Sequence, residues 1–272
     1  MKFTLGPKAR LAGVRLEAFD AIGSTNAEAL IRARAGETGP CWFVTTEQTS
    51  GRGRRNRVWT APRGNLASSI LEVLDVPPSV AATLGFAAGL ALEQALRQVS
   101  VEAVMRAPDS AANDYRLKWP NDVLAGVGKL AGILLEAETQ ANGRLAVVVG
   151  IGTNVIAAPE GTPYPATCLH TLGVSASAED LFAALSDAWQ DMRGIWDNGR
   201  GFADIRTLWL ERAAGLGQPV SIKSGTSTIS GIFDTIDDTG CMIVTTADRK
   251  RIPIAAGDVY FGDIASAKAT EE

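Results

Sequence analysis

The sequence has one histidine, three cysteines and no excess of basic charge, and each shortage removes a class of function. His170 alone cannot build a His-Glu-x-x-His zinc site, and no Gly-x-Ser-x-Gly elbow accompanies it to suggest a Ser-His-Asp triad. It reads as a structural or surface residue. Cys41, Cys168 and Cys241 are odd in number and far apart, so neither a disulfide framework nor a metal spacing follows. Inert thiols in a reducing cytoplasm are the expectation. The 26 basic residues against 30 acidic ones give a net charge of −4, which disfavours a broad nucleic-acid surface and leaves room for a local basic site. Residues Met1 to Pro7 carry too few apolar side chains for a signal peptide, and no later run reads as a membrane span.

At 272 residues, 46% apolar and 21% charged, the chain can bury a large core as one big domain or as one large and one small. Its densest local feature is Gly51-Arg52-Gly53-Arg54-Arg55-Asn56-Arg57-Val58-Trp59. Arginines at that density in an acidic chain serve a polyanion, and glycines let a backbone bend or approach a ligand closely.

Residues 14 to 20 alternate as a strand does, and Ser24-Thr25-Asn26 then leads into a helix from Ala27 to Ala35. Thr25 and Glu28 stand in capping-box relation. The triplet is thus either a helix cap or a ligand contact. Cys41 to Glu47 and Leu66 to Val73 read as strands, which makes the arginine stretch a loop between them. A helix capped by Ser79 is expected to run to about Val99. Strands at Tyr115–Trp119, Leu130–Ala137 and Leu145–Val149 alternate with polar turns, as in an antiparallel meander carrying a site along one rim. Helices follow at Ala178–Ile195, capped by Ser177 and Asp180, and at Phe202–Ala213. Five short β-type runs after Gln218 read as a small SH3-like barrel. The expectation is an α+β fold, a mixed or antiparallel sheet with packed helices. Its domains are residues 1–216 (catalytic), 217–264 (barrel) and 265–272 (flexible tail).

Three familiar phosphate motifs fail. Gly51-x-Gly53-x-x-Asn56 lacks the third glycine of a dinucleotide fingerprint, as does Gly150-Ile151-Gly152-Thr153-Asn154, and Gly128-Lys129 is followed by Leu130 rather than Ser or Thr. What remains is a set of scattered loops. The arginines offer forked donors for phosphate oxygens, and Trp59 can stack on a planar ring. Lys129, in a glycine-flanked turn, offers a mobile point charge to a carboxylate or a developing negative charge. Asn121 and Asp122 can hydrogen-bond or bind Mg²⁺. Together they suggest activation of a carboxylate by ATP.

These same stretches resemble the biotin protein ligases. The likeness rests on Gln48 with Gly51 to Trp59, Lys118-Trp-Pro-Asn-Asp122, Gly128-Lys-Leu-Ala-Gly-Ile-Leu-Leu-Glu136 and Gly150-Ile-Gly-Thr-Asn154. Ser24-Thr25-Asn26 matches the family's first biotin-contacting triplet, and order and spacing agree from about residue 14 to 261. The resemblance implies a class II synthetase-like catalytic domain. Biotin and Mg·ATP would give biotinyl-5′-AMP, and a lysine of a biotin carboxyl carrier protein would then take the biotinyl group. By position, Ser24, Thr25, Asn26 and Gln48 would contact biotin, with Arg52, Gly53 and Arg54 over its carboxylate and the α-phosphate. Arg57 would meet phosphate, while Trp59, Asn121 and Asn154 would border the adenine. Lys129 and Arg54 would carry the catalytic charge, and Asp122 would hold a metal, pair with a lysine or form the turn.

Asn56 departs from the glycine the family usually has there, although asparagine tolerates positive φ better than most residues. The first motif begins at Ser24, which leaves no room for the helix-turn-helix of DNA-binding members. The expectation is therefore a ligase without repressor function, a cytoplasmic monomer or homodimer. A lipoate or octanoate ligase of the same fold is the nearest alternative, and a non-catalytic biotin sensor is another.

Overall fold

A computed structural model describes residues 2–162, 164–224 and 227–261. The expected tail, 265–272, and the Asn56 side chain lie outside the described residues. The chain opens with a short helix, α1 (Pro7–Leu11), and strand β1 (Arg15–Phe19), then α2 (Thr25–Arg34), β2 (Cys41–Thr45) and β3 (Leu66–Leu74). Helices α3 (Pro78–Ala82) and α4 (Leu84–Arg106) precede a meander of β4 (Tyr115–Lys118), β5 (Asp122–Ala125), β6 (Gly128–Thr139) and β7 (Leu145–Thr153). Helices α5 (Ala178–Trp196) and α6 (Phe202–Glu211) complete this part. The seven strands form one sheet in the order β1-β2-β3-β7-β6-β5-β4, in which only β1 and β2 run parallel. A second, five-stranded antiparallel sheet follows, ordered β11-β10-β9-β8-β12. Its strands are β8 (Pro219–Ser224), β9 (Ser227–Ile236), β10 (Met242–Thr245), β11 (Arg251–Ile254) and β12 (Asp258–Phe261).

Alternation along the central strands sorts residues to the two faces of the large sheet, because successive side chains point to opposite sides. Trp42, Val44, Leu66, Ile70, Val147 and Val149 join the main core with α4 and α5. Within it Trp42 packs edge-on against Phe182 and Trp189. Cys41, Phe43, Leu71, Val73, Ala146 and Val148 face the other way, onto Ala29, Leu30 and Ala33 of α2. Burial there pushes the Cys41 thiol up to about 11, which makes it inert at neutral pH. Helix α2 has only ten residues, so it covers part of this second face. The uncovered part is a cleft.

Several elements differ from what the sequence implied. The cap of α2 is Ser24, whose side chain accepts from the Ala27 amide, and Glu28 pairs with Arg32 instead of closing a capping box. Ser79 caps nothing. The helix begins at Pro78, breaks at Thr83 and continues to Arg106, and the Thr83 hydroxyl both donates to the Val80 carbonyl and accepts from Trp196. The span Pro78–Arg106 has the length and apolarity to cross a membrane, yet 72% of its most apolar window is buried inside the fold. It is a core helix. The reciprocal box of Ser177 and Asp180 on α5 is present.

Trp42 lies at the centre of the core with no solvent exposure. Trp42→Ala is expected to cost about 3–5 kcal/mol of stability, because the emptied volume cannot be refilled. A urea midpoint equal to that of the parent protein would contradict this packing account.

Candidate active site

Small side chains form the floor of the cleft. In register, Ala67 and Ser69 on β3 stand beside Gly152 and Gly150 on β7, and these beside Gly132 and Leu134 on β6. All lie on the face that α2 leaves open. A Cβ at Gly150 would fall 2.1 Å from Asn26 Oδ1, and one at Gly152 would fall 2.7 Å from the Trp59 indole. Glycine at these strand positions marks a close approach rather than flexibility. The cleft encloses about 940 Å³, and it brings together every expected site residue, with Ser24 to Asn26, Gln48, Arg52, Gly53, Arg54, Arg57, Trp59, Asn121, Asp122, Lys129 and Asn154 in its wall. Arg55, which carried no expected role, is the one arginine of the loop that does not line it.

At one end sit the first residues of α2. The Thr25 amide donates to Gln48 Oε1 at 2.8 Å, and its hydroxyl lies 3.1 Å from the same oxygen. Ser69 Oγ lies 2.7 Å from Thr25 Oγ1 and 2.6 Å from Asn26 Oδ1, with one proton for the two. Asn26 Nδ2 donates to the Leu134 carbonyl and, at 2.9 Å, to Glu136 Oε2. The triplet is thus both cap and site: Ser24 caps, while Thr25 and Asn26 carry a polar network that fixes donors and acceptors at the cleft floor.

The arginine stretch folds as a tight loop closed by a bridge between Arg52 and Val58. Its left-handed residue is Arg55, at φ 55°. Every arginine in the loop is held by a side chain from another element. Arg52 reaches Glu136 at 3.3 Å, and Arg54 donates to Asn121 Oδ1 at 3.0 Å. Arg55 and Arg57 both grip Asp258 at the start of β12, at 3.0 and 2.6 Å. Burial, then the charge of Arg55, pulls the Arg54 pKa down, whereas the hydrogen bond to Asp258 raises that of Arg57. Burial opposes ionisation of Asp258, but the bonds and charge of Arg57 outweigh it and hold the carboxyl below its usual range.

Lys129 is not in a turn. It is the second residue of β6, with its backbone tied to Pro165 and Thr167. The register against β5 slips so that Leu130 is the extra residue of a bulge. That slip sends Leu130 into the core and turns Lys129 onto the cleft side, as bulges near sites do. Lys129 Nζ lies 2.7 Å from Asp122 Oδ1, an ion pair whose angles fall short of a hydrogen bond, and 5.6 Å above the Trp59 ring. Asn154 is buried, its Nδ2 donates to the Thr167 carbonyl at 3.1 Å, and its Oδ1 has no partner among the described residues. His170 lies outside the cleft, exposed, beside the Ala176 carbonyl. Glu136, Ser69 and Asp258 were not among the expected site residues. Glu136 ends a quoted motif, but nothing local marks Asp258, which is 201 residues from Arg57.

The biotin/lipoate A/B protein ligase family matches residues 23–154, and the biotin protein ligase C-terminal domain matches residues 215–262. The biotin–[acetyl-CoA-carboxylase] ligase of Paracoccus denitrificans is 40% identical over 246 residues, covering 88% of this chain and 97% of that relative. The enzyme of the same name from Mycobacterium tuberculosis is 36% identical, covering 90% of this chain and 88% of that one. A solved biotin protein ligase of Aquifex aeolicus, in complex with biotin and ATP, shares the fold with a TM-score of 0.69 at 22% identity, covering 91% of this chain and 99% of that one. The chain belongs to the biotin protein ligase family.

Of the six tryptophans, Trp42, Trp119, Trp189, Trp196 and Trp209 are buried, so Trp59 dominates what a small quencher can reach. Gly152→Ala is expected to lift Trp59 from its floor, raising the acrylamide-quenchable fraction of the fluorescence. An unchanged quenching curve would mean that the ring does not rest on Gly152.

Proposed function

We propose that this protein activates biotin with ATP to biotinyl-5′-AMP and transfers the biotinyl group to one lysine of a biotin carboxyl carrier protein. The observation that carries the site assignment is the meeting of Arg54 and Lys129, 75 positions apart in the sequence, across Asn121 and Asp122 in one cleft. A carboxylate and a triphosphate repel each other, so joining them requires fixed positive charge where both must lie. In the first step a biotin carboxylate oxygen attacks the α-phosphorus, and the α–β bridging oxygen departs with its electron pair on pyrophosphate. In the second, a neutral lysine amine attacks the acyl carbon, the acyl C–O bond breaks with its electron pair going to AMP, and the amine nitrogen releases one proton to solvent as the amide forms.

Ser24, Thr25, Asn26 and Gln48 hold the biotin ring, since their network presents both donors and acceptors to a ureido group. Arg52, Gly53, Arg54 and Lys129 receive its carboxylate and the α-phosphate, Arg57 receives phosphate, and Trp59 and Asn121 border the nucleotide. The buried, unpartnered Oδ1 of Asn154 suits the exocyclic amine of adenine. For magnesium, no cluster of three ligating side chains exists among the described residues. Asp122 would give it one oxygen, with phosphates and water supplying the rest, which is how this ion is commonly held. Bound there, it neutralises phosphate charge.

The division into a catalytic part, 1–216, and a barrel, 217–264, is part of the same proposal, as is a ligase that acts without DNA as a monomer or homodimer. The acidic balance supports the lack of DNA binding. The three free cysteines suit a reducing cytoplasm.

Purified protein should exchange pyrophosphate with ATP in the presence of biotin and label a carrier domain. Labelling by lipoate or octanoate, with none by biotin, would refute the assignment. Lys129→Ala should lose adenylation by roughly 10²–10³-fold with an unchanged melting curve. A parental rate would remove Lys129 from the chemistry. Asn154→Ala should raise KM for ATP roughly tenfold and leave biotin affinity alone; an unchanged KM would place the adenine elsewhere.

A further inference from the structure

Lys118, the last residue of β4, has no assigned role and stands apart from the other cleft cations. Arg52, Arg57 and Lys129 each have a carboxylate partner, and Arg54 is held by the Asn121 amide. The Lys118 ammonium group has neither an ion pair nor a hydrogen bond among the described residues. Its ammonium group lies 4.9 Å from the Tyr164 ring centroid and 5.3 Å from that of Phe261. Burial pulls its pKa down, while Asp122, Lys129 and Asp258 act on its charge from nearby. A half-buried ammonium is stabilised by an anion or by aromatic faces, and rings satisfy it only in part.

Its position gives the missing anion a shape. Lys118 pairs in register with Asp122, and Asp122 meets Lys129, so the two lysines flank one carboxylate. Lys129 is the inner cation, over the Trp59 ring. Lys118 is the outer one, beside Tyr164, which itself touches Tyr260 of the second sheet. Arg57 and Asp258 line the same outer wall.

Resting on the ligase reading above, we propose that Lys118 is the binding residue for the β- and γ-phosphates of ATP and for the pyrophosphate they become. An α-phosphate at Lys129 leaves the rest of the triphosphate to extend along the line from Lys129 toward Lys118. When the bond between the α-phosphorus and the α–β bridging oxygen breaks, the electron pair stays on that oxygen. The charge gathering on the leaving group then meets an ammonium that is ion-paired to no carboxylate among the described residues. Biotin, at the α2 end of the cleft, does not reach it. Neither does the second half-reaction, which has no pyrophosphate.

The test separates these steps in the full chain. Lys118→Gln keeps most of the stem and removes the charge, while Lys118→Arg restores the charge. Lys118→Gln is expected to raise KM for ATP and the inhibition constant of pyrophosphate together, by tenfold or more. Biotin affinity and transfer from preformed biotinyl-5′-AMP should stay at parental values, and Lys118→Arg should recover most of the loss. The proposal is overturned if the parent protein exchanges pyrophosphate and Lys118→Gln does so with the same constants. It is equally overturned if transfer from preformed adenylate slows by the same factor, because Lys118 would then serve the carrier. A parent protein that neither exchanges pyrophosphate nor labels a carrier would instead sink the ligase reading itself, and this inference with it.

Discussion

A seven-stranded sheet that packs the middle of one face under α4 and α5, and covers the other only as far as a ten-residue helix reaches, is the constraint on which everything else depends. Bulky side chains on the covered part of that face pack under α2. Where the helix ends, the same strands switch to serine, alanine and glycine. Chain left open to water there would be an apolar liability. With small residues it becomes a floor on which Trp59 and a ligand can lie close to the backbone.

Charge dictates the second layer of organisation. Five arginine and lysine side chains around one cleft repel one another, and an unfilled cleft must offset that repulsion. The protein does so with Glu136, Asp122 and Asp258, each drawn from a different strand. Among the described residues, Arg54 and Lys118 have no ion-pair partner. The arginine loop is thereby fastened to β6 through Arg52 and to the second sheet through Arg55 and Arg57. The small sheet is more than an appendage, because it supplies the carboxylate that orients half of the loop. It also accepts, at the Gly240 carbonyl, the Trp119 indole proton, which pins the Lys118–Asp122 segment from the far side.

Much of this was legible in the sequence, for physical reasons. Strand periodicity and β-branched runs located the central strands, and the Ser177 box located α5. The cleft's cations were visible as motifs because their chemistry demands particular residue types at close spacing. Three things were hidden. The cap of α2 falls on Ser24 because the Thr25 hydroxyl and amide are engaged by Gln48, a tertiary partner that local pattern cannot reveal. Lys129 looked like a turn residue, and only pairing with β5 exposes the bulge that aims it. Asp258 and Ser69 act through residues far away in sequence, and neither sits in a recognisable motif. The alternation of Gly150 and Gly152 at strand period was the one available sign that something must lie flat on the sheet.

The central claim is that the uncovered floor holds biotin with its carboxylate between Arg54 and Lys129, at the point where the α-phosphate arrives. A crystal structure with biotin and a non-hydrolysable ATP analogue tests it most directly. The account predicts the biotin ring over Ser69 and Gly150, its carboxylate within hydrogen-bond reach of Lys129, and the adenine amine at Asn154 Oδ1. Biotin lodged outside the cleft, or with its carboxylate turned toward Gln48 and α2, would contradict it.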